Sequence, residues 1–166
     1  YGTTGPGSPQ QLSTLLLAQT LNLGPLTEVA YKGSTAAHPD LVANRLTFMI
    51  DPLAASAPLI KSGNLRALAV TTLQRNPAHP DIPTAIELGV SGYEFSSWGG
   101  LFAPAGTPRA VVMQLNSEIR KALTSDALRK RFEDMGLVAK HSTPEEFGQF
   151  LVSEMNRWKS LVKKAP

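Results

Sequence analysis

Residues 31–70 read YKGSTAAHPDLVANRLTFMIDPLAASAPLIKSGNLRALAV, and this stretch decides the fold. Twice a short run ends in a small or acidic residue followed by a helix-starting signal. The first run, residues 27–31, leads into Lys32-Gly33-Ser34-Thr35. The second, residues 46–50, is mostly apolar, as for a strand covered on both faces, and leads into Asp51-Pro52. A third apolar run, residues 65–72, closes the stretch. Strands alternating with helices predict a parallel sheet built from right-handed crossovers.

Working outward, the same signal stands at the start of the chain, in Gly2-Thr3-Thr4-Gly5-Pro6-Gly7-Ser8-Pro9. Ser8 is a good N-cap and Pro9 suits the first helical position. Leu12, Leu15, Leu16 and Leu21 follow at near-helical spacing, and Gly24-Pro25 stops that helix. A second helix is expected from Ser34 to about residue 44, and a third from Pro52 to Ser62-Gly63. Residues 74–92 carry three prolines and two glycines and read as loop with one helical turn near residues 85–88. Residues 96–103 read as an extended connection. Beyond it Thr107-Pro108 is expected to cap a helix whose Val111, Leu115, Ile119 and Leu123 share a face. Ser125-Asp126 opens a shorter helix ending at Met135-Gly136. Thr143-Pro144-Glu145-Glu146 is a capping box, and Phe147, Leu151, Met155, Trp158 and Val162 form a core-facing stripe.

Three helix N-termini at the ends of parallel strands make an anion site, because their first N–H groups lack helical partners and the dipole's positive end faces outward. Ser8, Ser34 and Asp51 are therefore expected to converge on one crevice, of the kind in which open α/β sheets bind ligands. This pattern suits a receptor for a small carboxylate more than a catalyst. The Gly2–Ser8 loop taken alone is equally a plain turn, since it lacks the lysine-bearing ending of a nucleotide loop. Asp51 has two compatible readings: cap of the helix starting at Pro52, or floor of the crevice, repelling a second carboxylate and accepting an ammonium or hydroxyl. Lys32 attracts an anion or is simply solvated. Ser34 and His38 share a helix face, but only fragments of a nucleophilic triad can be assembled around them. His38, His79 and His141 show no metal-ligand spacing and read as surface residues.

Composition excludes other classes. Of 166 residues, 42% are hydrophobic and 17% charged, which describes a globular chain. The net charge of +3 comes from scattered residues plus small clusters at Arg129-Lys130-Arg131 and at Lys159, Lys163 and Lys164. No aromatic stacking pattern accompanies them, so nucleic acid is not an expected partner. No apolar run approaches membrane-spanning length. The absence of cysteine excludes thiol chemistry and disulfides. No repeat, cofactor fingerprint or metal cluster stands out. The chain begins at Tyr1 rather than Met, from which removal of upstream residues is expected.

Tyr31-Lys32-Gly33-Ser34, the Ile50-Asp51-Pro52 turn, Leu65-Arg66-Ala67-Leu68-Ala69-Val70, Pro80-Asp81-Ile82-Pro83-Thr84, Ala103-Pro104-Ala105-Gly106-Thr107-Pro108 and Thr143-Pro144-Glu145-Glu146-Phe147 occur in that order. With this ordered set, the chain resembles the substrate-binding protein of the tripartite tricarboxylate transporter family, often called the Bug family. The resemblance covers essentially the whole chain and implies an α/β fold of the periplasmic-binding-protein type II kind. It implies one nearly complete lobe, residues 1–95, and the C-terminal part of the other lobe, residues 96–166, whose N-terminal part is absent. It further implies a periplasmic, non-enzymatic receptor that takes no cofactor, binds a carboxylate, and hands it to membrane permease subunits. Ligand contacts carried over fall at Thr3, Thr4, Gly5, Gly7, Ser8, Lys32, Gly33, Ser34, Thr35, Ala36 and Asp51. The family usually has histidine where Gln11 stands, proline at Ala36, Gly-Gly-Gln at Ala43-Asn44-Arg45 and an acid at Thr47. The alternative is the effector-binding domain of a transcription regulator, which shares the two-lobed fold. With half a fold present, residues 98–166 are expected to self-associate or to pair with the N-terminal half of the same protein.

Overall fold

The computed structural model describes residues 1–162, and the expectation placed on Lys163 and Lys164 lies outside them. The chain divides into two compact units, one built from residues 1–97 and one from residues 98–160. No described helix is long and apolar enough to cross a membrane.

The first unit is organised around a short parallel ladder. Strand β1 (Gly2–Thr3) pairs with β2 (Val29–Ala30), Gly2 opposite Val29 and Thr3 opposite Ala30. Gly2 also bridges Met49 in parallel. Three segments therefore lie side by side with β1 in the middle, their C-terminal ends at one edge. The full strands expected at 27–31, 46–50 and 65–72 shrink to these short pairings. The ladder is only as long as its middle member, which runs from Tyr1 to Thr3 before the chain turns. Val29 N–H donates to Tyr1 O and Tyr31 N–H to Thr3 O, both at 2.9 Å, and Gly2 N–H donates to Phe48 O at 3.2 Å. The third run pairs only at its end: Val70 bridges Thr84, and Thr71 O accepts from Phe95 N–H at 2.9 Å. A strand exists only where a neighbour takes its backbone groups, and residues 65–69 find none in a ladder.

Helix α1 (Pro9–Thr20) begins as expected: Pro9 is its first residue, and Ser8 Oγ accepts from Gln11 N–H at 3.2 Å. It ends at Leu21, ahead of Gly24-Pro25. Its leucines do not supply the buried face. Gln10, Ser13 and Thr14 are buried, while Leu12, Leu15 and Leu16 are half-buried and Leu21 is exposed. On this face Tyr93, 2% exposed, donates its hydroxyl hydrogen to the Ser13 backbone O at 3.2 Å and Gln10 bonds two neighbouring elements, while Thr14 Oγ1 is buried with no partner. The apolar core is small: Ala37, Leu46, Ile82, Ala85, Tyr93 and Phe95.

Helix α2 (Ser34–Val42) starts after Gly33, whose φ of 128° suits glycine. Helix α3 (Leu53–Lys61) follows Pro52 and stops at Ser62 before Gly63. The expected turn after Thr84 is present, with Glu87 N–H on Thr84 Oγ1 at 3.1 Å.

The second unit holds α4 (Arg109–Thr124), α5 (Asp126–Asp134) and α6 (Pro144–Val162). The capping box of α6 forms as read: Glu146 N–H donates to Thr143 Oγ1 at 3.2 Å and Thr143 N–H to Glu146 Oε2 at 2.8 Å. Thr107 does not cap α4; its hydroxyl turns back to Pro104 O at 2.8 Å, and Pro108 takes the cap position. The stripes expected to face a core are only half-covered. On α4, Val111 and Leu115 are exposed, with Ile119 and Leu123 half-buried. On α6, Phe147, Leu151 and Trp158 are half-buried and Met155 is 63% exposed. Phe147 and Phe150 meet Trp98 edge-on at 5.7 and 5.2 Å between ring centres. Glu154 Oε2 accepts from both indole nitrogens, Trp98 at 3.1 Å and Trp158 at 3.0 Å.

Candidate functional site

The edge formed by the C-terminal ends of β1, β2 and the Met49 segment carries most of the expected contact residues. Adjacent strands lie about 4.8 Å apart, so the starts of α1 and α2 and the Asp51 turn are neighbours. Side chains tie them together. Gln10, buried on α1, accepts from Thr4 Oγ1 at 3.0 Å and donates through Nε2 to Ser34 Oγ at 3.1 Å. One amide thereby links the glycine loop to the first residue of α2.

The loop itself is largely self-satisfied. Gly5 N–H donates to Thr3 Oγ1 at 3.0 Å, Gly7 N–H to Gln11 Oε1 at 2.7 Å, and Ser8 N–H to Gly5 O at 3.1 Å. Thr3 is fully buried, and its hydroxyl donates to Glu28 Oε1 at 2.6 Å. Glu28 also accepts from Gln11 Nε2 at 2.7 Å. Donors expected to face an anion are thus occupied by Thr3, Gln11 and the loop's own carbonyl. The glycines still matter, since Gly5 and Gly7 take φ of 106° and 75° in the turn.

The start of α2 is different. Ala36 N–H returns to Gly33 O at 3.1 Å, but the N–H groups of Ser34 and Thr35 have no acceptor among the described residues. These are the orphan donors of a helix N-terminus. Thr35 and Ala36 are exposed and Ser34 is half-buried. Lys32, exposed just upstream, pairs with no carboxylate among the described residues. Behind this turn Tyr31 donates its hydroxyl hydrogen to Asp40 Oδ2 at 2.7 Å, and Arg45 binds Asp40 Oδ1 at 2.7 Å. The Tyr31 hydrogen bond, helped by Arg45, holds the Asp40 carboxyl below its usual range, and the same bond raises the Tyr31 hydroxyl.

Asp51 does not cap α3. No side chain caps that helix, whose N-cap is Pro52. The carboxylate turns toward α2 instead, and Oδ2 accepts from His38 Nε2 at 2.9 Å and from Ser56 Oγ at 2.5 Å. His38 is therefore not a surface residue: its side chain is 8% exposed and that of Asp51 6%. Asp51 prefers these partners because proline fixes the backbone at the helix start while His38 offers a strong, buried donor. The Asp51 Oδ1 atom is buried with no hydrogen-bond partner. His38 is thus committed to Asp51, and Ser34 Oγ to Gln10, so the fragments of a nucleophilic triad are not assembled. No group of three or more potential metal ligands occurs among the described residues.

Gln10, Glu28 and Ser56 were not anticipated as parts of this edge, and His38 was read as a surface residue. A polar Gln10/Ser13/Thr14 face on a leucine-bearing helix is the signal that could have found the first of them.

A family model described as the tripartite tricarboxylate transporter family receptor matches residues 1–166. The chain belongs to this family. It is 38% identical over 163 residues to the UPF0065 protein in the tcbD-tcbE intergenic region of Pseudomonas sp. (strain P51), covering 98% of this chain and 48% of that protein. It is 37% identical over 159 residues to the UPF0065 protein in the clcB-clcD intergenic region of Pseudomonas knackmussii, covering 95% and 94%. Among solved structures, Rhodopseudomonas palustris Rpa4515 with adipate is 37% identical with a TM-score of 0.89, over 98% of this chain and 54% of that one. MatC from the same species, with bound malate, is 33% identical with a TM-score of 0.81, over 97% and 55%. The periplasmic binding protein BugD is 31% identical with a TM-score of 0.84, over 98% and 55%. The chain spans about half the length of the first relative and of these structures. As a family member it has the expected fold, a partial α/β binding-protein lobe, and these relatives give no support to the regulator alternative.

Proposed function

We propose that this chain is the ligand-receiving part of a periplasmic solute-binding receptor that captures a small carboxylate for a tripartite tricarboxylate-type transporter. The observation that carries this reading is the pair of unpaired N–H groups at Ser34 and Thr35, at the edge where the ends of three parallel segments meet. Backbone donors at a helix N-terminus bind a carboxylate without burying a formal positive charge. Ser34 hydroxyl, Thr4 and the start of α1 at Ser8 stand beside them, and Lys32 supplies attraction at longer range. Gly5, Gly7, Gly33 and Ala36 shape the walls, and Thr3 supports them from below. The two Rhodopseudomonas structures carry adipate and malate, both small carboxylates, which supports the reading. Residues 1–95 form the second lobe in this reading, and residues 96–166 the returning part of the first. The chain performs no reaction; its partners are the acid and the membrane permease subunits.

Ser34→Pro tests it. Proline is tolerated at the first helical position but carries no N–H. Isothermal titration with adipate, succinate and malate is expected to show Ser34→Pro weakened at least tenfold beyond Ser34→Ala, which loses only the hydroxyl. Equal binding by the two variants defeats the proposal.

A further inference from the structure

Two hydroxyls flank one buried amide at the candidate edge. Gln10 lies in the first turn of α1 and is 6% exposed. Its Oε1 accepts from Thr4 Oγ1 at 3.0 Å, and its Nε2 donates to Ser34 Oγ at 3.1 Å. A hydroxyl has one hydrogen to donate and two lone pairs that accept. Thr4 has given its hydrogen to Oε1, which leaves the amide nitrogen facing Ser34. Ser34 Oγ holds that bond through a lone pair and keeps its own hydrogen, for which no acceptor occurs among the described residues. The N–H groups of Ser34 and Thr35 are free as well. The hydroxyl and the N–H of Ser34 hang on one Cα, on a half-buried residue that opens α2. Ser34 thus carries two free donors, and the second exists because Gln10 presents it with nitrogen rather than oxygen.

Resting on the carboxylate reading above, we infer that Gln10 is a positioning residue for acid recognition: it sets Ser34 Oγ as a donor to the same carboxylate that the α2 N–H groups bind. A serine hydroxyl left to itself turns to nearby backbone groups. Pinned by the amide, the Ser34 hydroxyl has only its hydrogen left to offer, and a bond from it to a charged oxygen is one of the stronger kind. The same pair of bonds ties the glycine loop to the start of α2, which lessens the ordering that an arriving acid must impose. A carboxylate in place of the Gln10 amide offers acceptors alone. Both hydroxyls then turn their hydrogens inward, and Ser34 Oγ keeps nothing for an anion.

The test is a double-mutant cycle read by titration calorimetry at neutral pH, using whichever of adipate, succinate and malate the wild-type chain binds most tightly. Ser34→Ala is expected to weaken binding about tenfold in the wild-type background, as for one hydrogen bond to a charged group. In the Gln10→Glu background the same Ser34→Ala change is expected to alter binding by less than about twofold, because that hydroxyl is already engaged. Taking the ratio within each background cancels the effect of the added charge on affinity. If circular dichroism shows Gln10→Glu unfolded, Gln10→Met takes its place: it keeps the side chain's length and pins neither hydroxyl, and the Ser34→Ala effect is expected to fall below about threefold. A role confined to stability lowers the Tm of the Gln10 variants but leaves the Ser34→Ala effect equal in both backgrounds. That equality overturns the inference while leaving the carboxylate reading intact, whereas binding of none of the three acids by the wild-type chain overturns both.

Discussion

Removing His38 leaves the Asp51 carboxylate buried with one remaining donor, and that is the most exacting test of the first unit. The two side chains are 92% and 94% covered, from exposures of 8% and 6%, at 2.9 Å. Removing one member of a buried pair costs about 3–5 kcal/mol, because the surviving charge stays desolvated. Ser56 keeps its bond to Oδ2, which argues for the lower end, about 3 kcal/mol. For a chain of this size that is a Tm loss of roughly 6–12 °C, at about 2–4 °C per kcal/mol. The decisive measurement is a double-mutant cycle of His38→Ala and Asp51→Asn, followed by far-UV circular dichroism in urea. Once the charge is gone, His38→Ala should cost much less, giving a coupling of about 1–3 kcal/mol. Both tryptophans, Trp98 and Trp158, lie in the second unit, so their fluorescence is an internal control for local damage. A His38→Ala loss below about 1 kcal/mol, or additivity within about 0.5 kcal/mol, refutes the claim that the pair is a buried, mutually dependent unit.

Three further outcomes are expected. The Glu146 carboxyl is held below its ordinary value of 4.5, first by the Thr143 N–H and then by the Thr143 hydroxyl; a lowered value stabilises the folded form above pH 4.5 and is lost as the pH falls below it. Helical dichroism of α6 should therefore decline on that acid limb, and Glu146→Gln should flatten the pH dependence. Burial raises the Tyr93 hydroxyl above its ordinary value of 10, so its stabilisation is complete below pH 10 and drains away as the pH climbs beyond it. Tyr93→Phe should cost about 1 kcal/mol at neutral pH for the bond to Ser13 and should remove that alkaline limb, read by absorbance titration at about 295 nm. Leu101 and Phe102 are 75% and 68% exposed, and with Met155 and Leu115 they make the second unit richly apolar outside. Surfaces of this kind usually find a partner, so sedimentation velocity is expected to show concentration-dependent self-association through residues 98–166; a monomer at every micromolar concentration contradicts this.

What was legible in the sequence was local, and what was not was set by residues far apart. Ser8 and Pro9 at α1, and the Thr143–Glu146 box at α6, are satisfied within three residues. No tertiary partner competes for them, so their signals read directly. The Asp51-Pro52 signal is equally good on paper, yet a histidine 13 positions upstream outbids the helix end for the carboxylate. Leucine spacing placed α1 correctly but misjudged its buried face. That choice belonged to Ser34, 24 residues from Gln10, and to Tyr93, 80 residues from Ser13. Strand length failed for a related reason: an apolar run declares its willingness to pair, and only the neighbours decide how much of it does. The candidate site sits where these two kinds of information cross. Helix starts at Ser8 and Ser34 were visible from local chemistry, so the place could be named. Which donors remain free there was decided by Gln11, Thr3 and Gln10, which occupy the loop's hydrogen-bonding groups and leave the start of α2 open. What is left over at this edge is hydrogen-bonding capacity, the N–H groups of Ser34 and Thr35 and the lone Oδ1 of Asp51, and a remainder of that kind emerges only once every nearby partner has been placed.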